Sequence, residues 1–146
     1  MVEDRKFFIC VDNYISVEEC NKYINIYDKF SSLSYIYQNT KPLKIKPDLT
    51  IKKIFDDFNI NKKLDNLEIV KREEGSFMDN HFDQGDSLAF IIYLNENIKG
   101  GETVFENETV IYPKKGRLLL FSNGVFLHKV NEITEGKRYV LAGWCV

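Results

Sequence analysis

The chain contains only two histidines, His81 and His128, and the first stands two residues before an aspartate, Asp83. In an extended strand, residues i and i+2 project from one face roughly 6.6 Å apart, so the imidazole and carboxylate of His81-Phe82-Asp83 can converge on one ion. A third ligand must come from elsewhere, and His128, 45 residues beyond Asp83, is the remaining imidazole. Two imidazoles and one carboxylate leave coordination positions open for reactants, which suits Fe(II); such sites also hold zinc or manganese. Taken singly, each histidine reads as plainly as a surface or core side chain.

Composition sets the frame for such a site. With 146 residues, 44% apolar and 14% aromatic, the chain has enough apolar surface for a core and is expected to form a single domain over 1–146. The formal charge of -2, from 20 basic and 22 acidic residues, supplies no global positive field for nucleic acid or anionic lipid. The opening MVEDRKFFIC carries acidic residues and no apolar stretch of signal-peptide length, and no later run approaches a membrane span, so a cytoplasmic protein with no membrane partner is expected. Cys10, Cys20 and Cys145 lack the close pairing of zinc or dithiol sites and read as reduced, mostly buried small hydrophobes.

The elements that must position the ligands follow from periodicity. Residues 7–11 suit a strand ended by Asp12-Asn13. Ser16 and Glu19 have capping-box spacing, and Val17, Cys20, Tyr23, Ile24 and Tyr27 recur at helical intervals, which predicts a helix over 16–30. Residues 31–49 contain Pro42 and Pro47 and show no period, so they are expected to be a mobile loop that could cover a site. Ile51, Ile54, Phe55 and Phe58 predict a helix over 49–58. From residue 64 onward the texture becomes strand-like, with strands expected at 67–71, 77–82, 88–94, 103–105, 109–112, 117–121, 126–130 and 138–145. Short strands behind two helices point to a mainly β, α+β chain: a closed or two-sheet body with helices on one side.

The sequence from His81 onward resembles the prolyl 4-hydroxylase-related family of Fe(II)/2-oxoglutarate-dependent oxygenases. The matching pieces are His81-x-Asp83, Tyr93-Leu94-Asn95, Gly100-Gly101-Glu102-Thr103 with Phe105, Pro113 through Gly116 leading to Phe121, then His128, Gly136, Arg138 and Trp144. Order and spacing agree together, which is far more specific than any one piece. Upstream, FFICVDNYISVEEC and LEIVKREEGSFMDNHFD are similar to the segments that precede the first ligand in that family. The resemblance is loose between residues 31 and 65.

What the resemblance implies is a double-stranded β-helix (a jelly roll, cupin-like) with Fe(II) held by His81, Asp83 and His128 at one mouth. Its co-substrates would be 2-oxoglutarate and O2, its products succinate, CO2 and a hydroxylated substrate. The family carries a cation nine or ten residues after the distal histidine for the far carboxylate of 2-oxoglutarate, and Arg138 stands ten after His128. Its planar fork can grip a carboxylate with two charge-assisted hydrogen bonds. Strand parity puts Arg138, Val140, Ala142 and Trp144 on one face, with Lys137 on the other. Tyr93 occupies a place from which some relatives offer a phenol to the same carboxylate, and it reads equally as an ordinary strand aromatic. Trp144 would line the substrate pocket or belong to the core, and Gly100-Gly101 could simply turn a hairpin. Lys114, Lys115 and Arg117 read as a solvated turn.

Arg72 is a departure, because many family members have tyrosine nine residues before the first ligand. An arginine there would favour an acidic substrate or would face solvent. The expected substrate is a prolyl or other residue of a protein or peptide. The same chemistry on a small molecule or nucleic acid is an alternative, as is a non-oxidative, cupin-like metal-binding protein. Net charge, and the lack of a second arginine shortly after Arg138, weigh against nucleic acid.

Overall fold

The computed structural model describes residues 7–36, 40–82, 88–122 and 126–146. Helix α1 (Val17–Phe30) starts at Ser16, whose hydroxyl accepts from the Glu19 backbone N–H at 3.1 Å while the Glu19 carboxylate accepts from the Ser16 N–H at 3.2 Å. This is the reciprocal box expected of Ser-x-x-Glu. The helix buries Cys20, Tyr23 and Tyr27 as its period predicts, whereas Val17, at its first turn, is exposed. Helix α2 (Leu49–Asp57) is capped by Asp48, which accepts from the Thr50 and Ile51 N–H groups at 3.0 and 3.4 Å. Asp48 also accepts from the Tyr23 hydroxyl at 2.5 Å, tying the two helices together.

The strands are β1 (Phe8–Val11), β2 (Lys41–Lys44), β3 (Leu64–Arg72), β4 (Met78–His81), β5 (Leu88–Tyr93), β6 (Lys99–Gly100), β7 (Thr103–Phe105), β8 (Val110–Ile111), β9 (Leu118–Ser122), β10 (His128–Val130), β11 (Ile133–Glu135) and β12 (Arg138–Cys145). A six-stranded antiparallel sheet runs β1-β9-β5-β12-β3-β2, a four-stranded sheet runs β4-β10-β7-β8, and β11 pairs with β6 in a short ribbon. Two antiparallel sheets flanked by two helices match the expected jelly roll. No helix among the described residues is long and apolar enough to cross a membrane.

Alternation along the large sheet divides the core. Leu118, Leu120, Leu67, Ile69 and Leu141 pack with Cys20, Tyr23, Tyr27, Ile51 and Ile54 on the helix side. Leu119, Phe121, Val70, Val140 and Ala142 pack with Phe105 and Ile111 between the sheets. Period-two alternation is what allows one strand to serve both layers. Gly143, on the helix side of β12, gives way to the Phe90 ring, which would lie 2.1 Å from an added Cβ. At the start of β9, Arg117 donates to Asp12, just after β1, at 2.6 Å.

Residues 31–49 depart from the loop expected there. A 3-10 turn (Ser31–Leu33) and strand β2 occupy part of the segment, with Pro42 opposite Val70 of β3. Four residues, one a proline, carry no readable period, and proline is tolerated because β2 is an edge strand. The ribbon of β6 and β11 was likewise not anticipated; its strands are only two and three residues long.

Candidate active site

Strand pairing creates the site. β4 and β10 run antiparallel with His81 directly opposite His128, which brings their ring centroids to 4.3 Å. The Nδ1 of His81 lies 2.8 Å from the Asp79 carbonyl and the Nδ1 of His128 lies 2.9 Å from the Phe126 carbonyl. A carbonyl can only accept, so each Nδ1 donates, and in the neutral imidazole Nε2 then carries the lone pair. Neutral histidines fixed in this tautomer by a backbone carbonyl are the form in which imidazole binds a metal. Phe121 and Phe105 pack on the His128 ring at 4.9 and 5.6 Å. Asp83 lies outside the described residues. The two imidazoles fit a divalent metal, and Asp83 is the third ligand expected from its spacing to His81.

Both histidines line a cavity of about 510 Å³ between the sheets, within the range of small-molecule sites. Arg138, Val140, Ala142 and Trp144 line it too, so the face predicted from parity is the one that meets the cavity. Arg138 is 3% exposed. Its Nε donates to the Gly101 carbonyl at 3.0 Å and its Nη2 to the Thr103 hydroxyl at 3.2 Å. Burial lowers the pKa of this guanidinium, while the Tyr93 hydroxyl and the Glu102 carboxylate oppose that shift; the Tyr93 ring centroid lies 5.4 Å away. The glycine pair does more than turn the chain. Both glycines have positive φ, and a Cβ on Gly101 would stand 3.2 Å from the Arg138 Cδ, so a bare backbone lets the arginine lie against its acceptor.

Tyr93 is fully buried, and its hydroxyl pairs with that of Thr103 at 2.6 Å. Burial raises its pKa, so the phenol is neutral. It reaches the cavity through Thr103, which lines the wall. Trp144 is partly buried in the cavity wall.

Arg72 does not face solvent. It is 5% exposed, lines the cavity and stands opposite Arg138 in the β3–β12 register. Its guanidinium donates to the Ser76 hydroxyl at 3.1 Å and to the Phe77 carbonyl at 3.5 Å. Burial, with the Arg138 charge added, pulls its pKa down to about 10. Two buried cations side by side favour an anion in the cavity.

Two further wall residues, Glu68 and Tyr35, were not singled out in the sequence. A signal existed for the first: Glu68 is the one charge inside the apolar run Leu67 to Val70. Tyr35 lay in the segment without a period and offered none.

Residues 67–146, 80 of the 146, match the 2OG-Fe(II) oxygenase superfamily, and the chain belongs to that family. A PKHD-type hydroxylase of Prochlorococcus marinus (strain MIT 9215) is 28% identical over 128 residues, which are 80% of this chain and 56% of that protein. The chain spans about half the length of the curated relatives it matches. Among solved structures, the viral collagen prolyl hydroxylase of Paramecium Bursaria Chlorella virus-1, in its 2OG complex, superposes with a TM-score of 0.79 at 22% identity, over 96% of this chain and 95% of that one. A Trichoplax adhaerens prolyl hydroxylase, in complex with a hypoxia inducible factor peptide fragment, gives 0.73 at 19% identity, over 94% and 82%. The fold is thus that of the prolyl hydroxylases.

Proposed function

We propose that residues 1–146 form one oxygenase domain that hydroxylates a prolyl or other residue of a protein or peptide, with Fe(II), 2-oxoglutarate and O2. The observation that carries this is the shared cavity: two imidazoles held by backbone carbonyls and a buried, fork-shaped cation, Arg138, line the same space. Bound Fe(II) couples oxidative decarboxylation of 2-oxoglutarate, to succinate and CO2, with insertion of one oxygen atom of O2 into a substrate C–H bond.

The chain's own residues do the rest. His81, Asp83 and His128 hold the metal. Arg138, aligned by Gly101 and Thr103, receives the far carboxylate of 2-oxoglutarate with charge-assisted hydrogen bonds. Tyr93 holds Thr103 in place beneath it. Phe105 and Phe121 shield one side of the His128 ring from water, and Trp144 offers a flat apolar wall to the substrate. A peptide target is supported by the likeness of the fold to prolyl hydroxylases.

The test is succinate formation from 2-oxoglutarate with added Fe(II) and O2, together with a proteome-wide search for one-oxygen mass additions that depend on the enzyme. Absence of succinate under all substrates would return the chain to a non-oxidative metal-binding role. Turnover on a nucleoside or free amino acid, with none on any peptide, would overturn the substrate class.

A further inference from the structure

The cavity face of β3 reads Asn66, Glu68, Val70, Arg72. Glu68 is 4% exposed and stands two same-face steps, roughly 13 Å, from Arg72. Its neighbours across the register are Ala142 on β12 and Lys44 on β2. Lys44 is exposed, and no described lysine or arginine forms an ion pair with Glu68. Its described side-chain partner is the Tyr35 hydroxyl, which donates to Oε2. A carboxylate has lone pairs for several donors, so one phenol leaves most of its capacity open. Buried charge in an apolar wall is costly unless paired.

The surroundings say what would pair with it. Tyr35 lies on one side and Trp144, one register step along β12 from Ala142, lies on the other, and both line the cavity beside Glu68. Aromatic faces attract cations, and the Tyr35 ring already has the Lys44 ammonium 5.9 Å from its centroid. A carboxylate that accepts from one aromatic phenol and shares its cavity wall with a second aromatic ring is a receptor for an ammonium or guanidinium group. Arg72 and Arg138 mark the other end of the cavity for anions, so the wall discriminates along its length.

We propose that Glu68, with Tyr35 and Trp144, forms a subsite for a cationic side chain of the substrate, so that the enzyme prefers a lysyl or arginyl residue at or beside its target. This rests on the peptide-hydroxylase reading above. Trp144 is the chain's one tryptophan, and its fluorescence reports binding without turnover. Anaerobic protein loaded with Fe(II) and 2-oxoglutarate would be titrated with N-acetyl-lysine amide, N-acetyl-norleucine amide and N-acetyl-glutamate amide. The lysine probe should bind at least about ten-fold more tightly than the norleucine probe, the value of one charge-assisted contact. In Glu68→Gln that ratio should fall to within about two-fold of unity.

A ratio near unity in the wild type, a ratio unchanged in Glu68→Gln, or tighter binding of the glutamate probe would each overturn the proposal. If the melting curve shows that Glu68→Gln does not fold, the wild-type ratio alone decides. Admitting air to the same samples and measuring succinate tests the oxygenase reading separately, so failure of one is distinguishable from failure of the other.

Discussion

Replacing Arg138 with alanine should cripple capture of 2-oxoglutarate while leaving most of the fold standing. Arg138 spends two of its N–H groups on neutral acceptors, Gly101 and Thr103, which orient the fork and leave donors for a carboxylate. Truncating a buried, hydrogen-bonded charge partner costs about 2 to 5 kcal/mol, or roughly thirty-fold to several thousand-fold in affinity. Thr103 keeps its bond to Tyr93, so the Gly101 carbonyl is the acceptor left without a donor, a penalty of about 1 to 3 kcal/mol. Relief of the Arg72 charge offsets part of that penalty. Lys137 is the control. It is more than half exposed, with its Nζ 4.0 Å from Glu73, and Lys137→Ala should change 2-oxoglutarate affinity by less than about three-fold. Anaerobic calorimetric titration of 2-oxoglutarate into both variants, with thermal melts to follow stability, is the assay. A larger loss in Lys137→Ala than in Arg138→Ala, or an unchanged affinity in Arg138→Ala, would refute the assignment.

Alanine at His81, Asp83 or His128 should abolish turnover, and in wild type but not in these variants Mn(II) should raise the melting temperature; a variant that keeps most of the oxidation rate would remove its residue from the triad. Gly143→Ala should cost about 1 to 3 kcal/mol in urea unfolding, because the new methyl meets the Phe90 ring, and a neutral result would mean the ring moves freely. Arg117 holds the Asp12 carboxyl at about 2, below its ordinary 3.8. A depressed folded-state value means the pair's stabilisation is present above pH 3.8 and disappears as pH falls through about 2. Asp12→Asn should therefore destabilise at neutral pH by less than about 1 kcal/mol, since the pair is at the surface, and should match wild type near the acid end; equal stability at both ends would deny the pair any role.

Much of this was legible because the chemistry sits on strands. Parity along β12 placed Arg138 and Trp144 together on the cavity face, a consequence of a fixed period. What escaped had no period to show. β2 is four residues with a proline at an edge, and β6 and β11 are too short to alternate. Arg72 read as either a substrate contact or a solvent-facing residue because sequence carries no register, and only its position opposite Arg138 decides that it is buried. Glu68 is a lone charge in an apolar run, and the sequence does not show that its face turns toward a cavity and not toward water.

The place of β12 between β5 and β3 also governs how the chain can be assembled in a cell. While residues 64–137 emerge from a ribosome, β3 and β5 each wait with an open edge, and β12, the strand that lies between them, has not yet been made. Unpaired apolar edges are templates for association with other chains. Pairing of β2 with β3 and of β9 with β5 covers only the outer edges, so the inner edges stay open until β12 is made, and yield on expression should fall at higher temperature before any loss of stability in the finished protein is measurable.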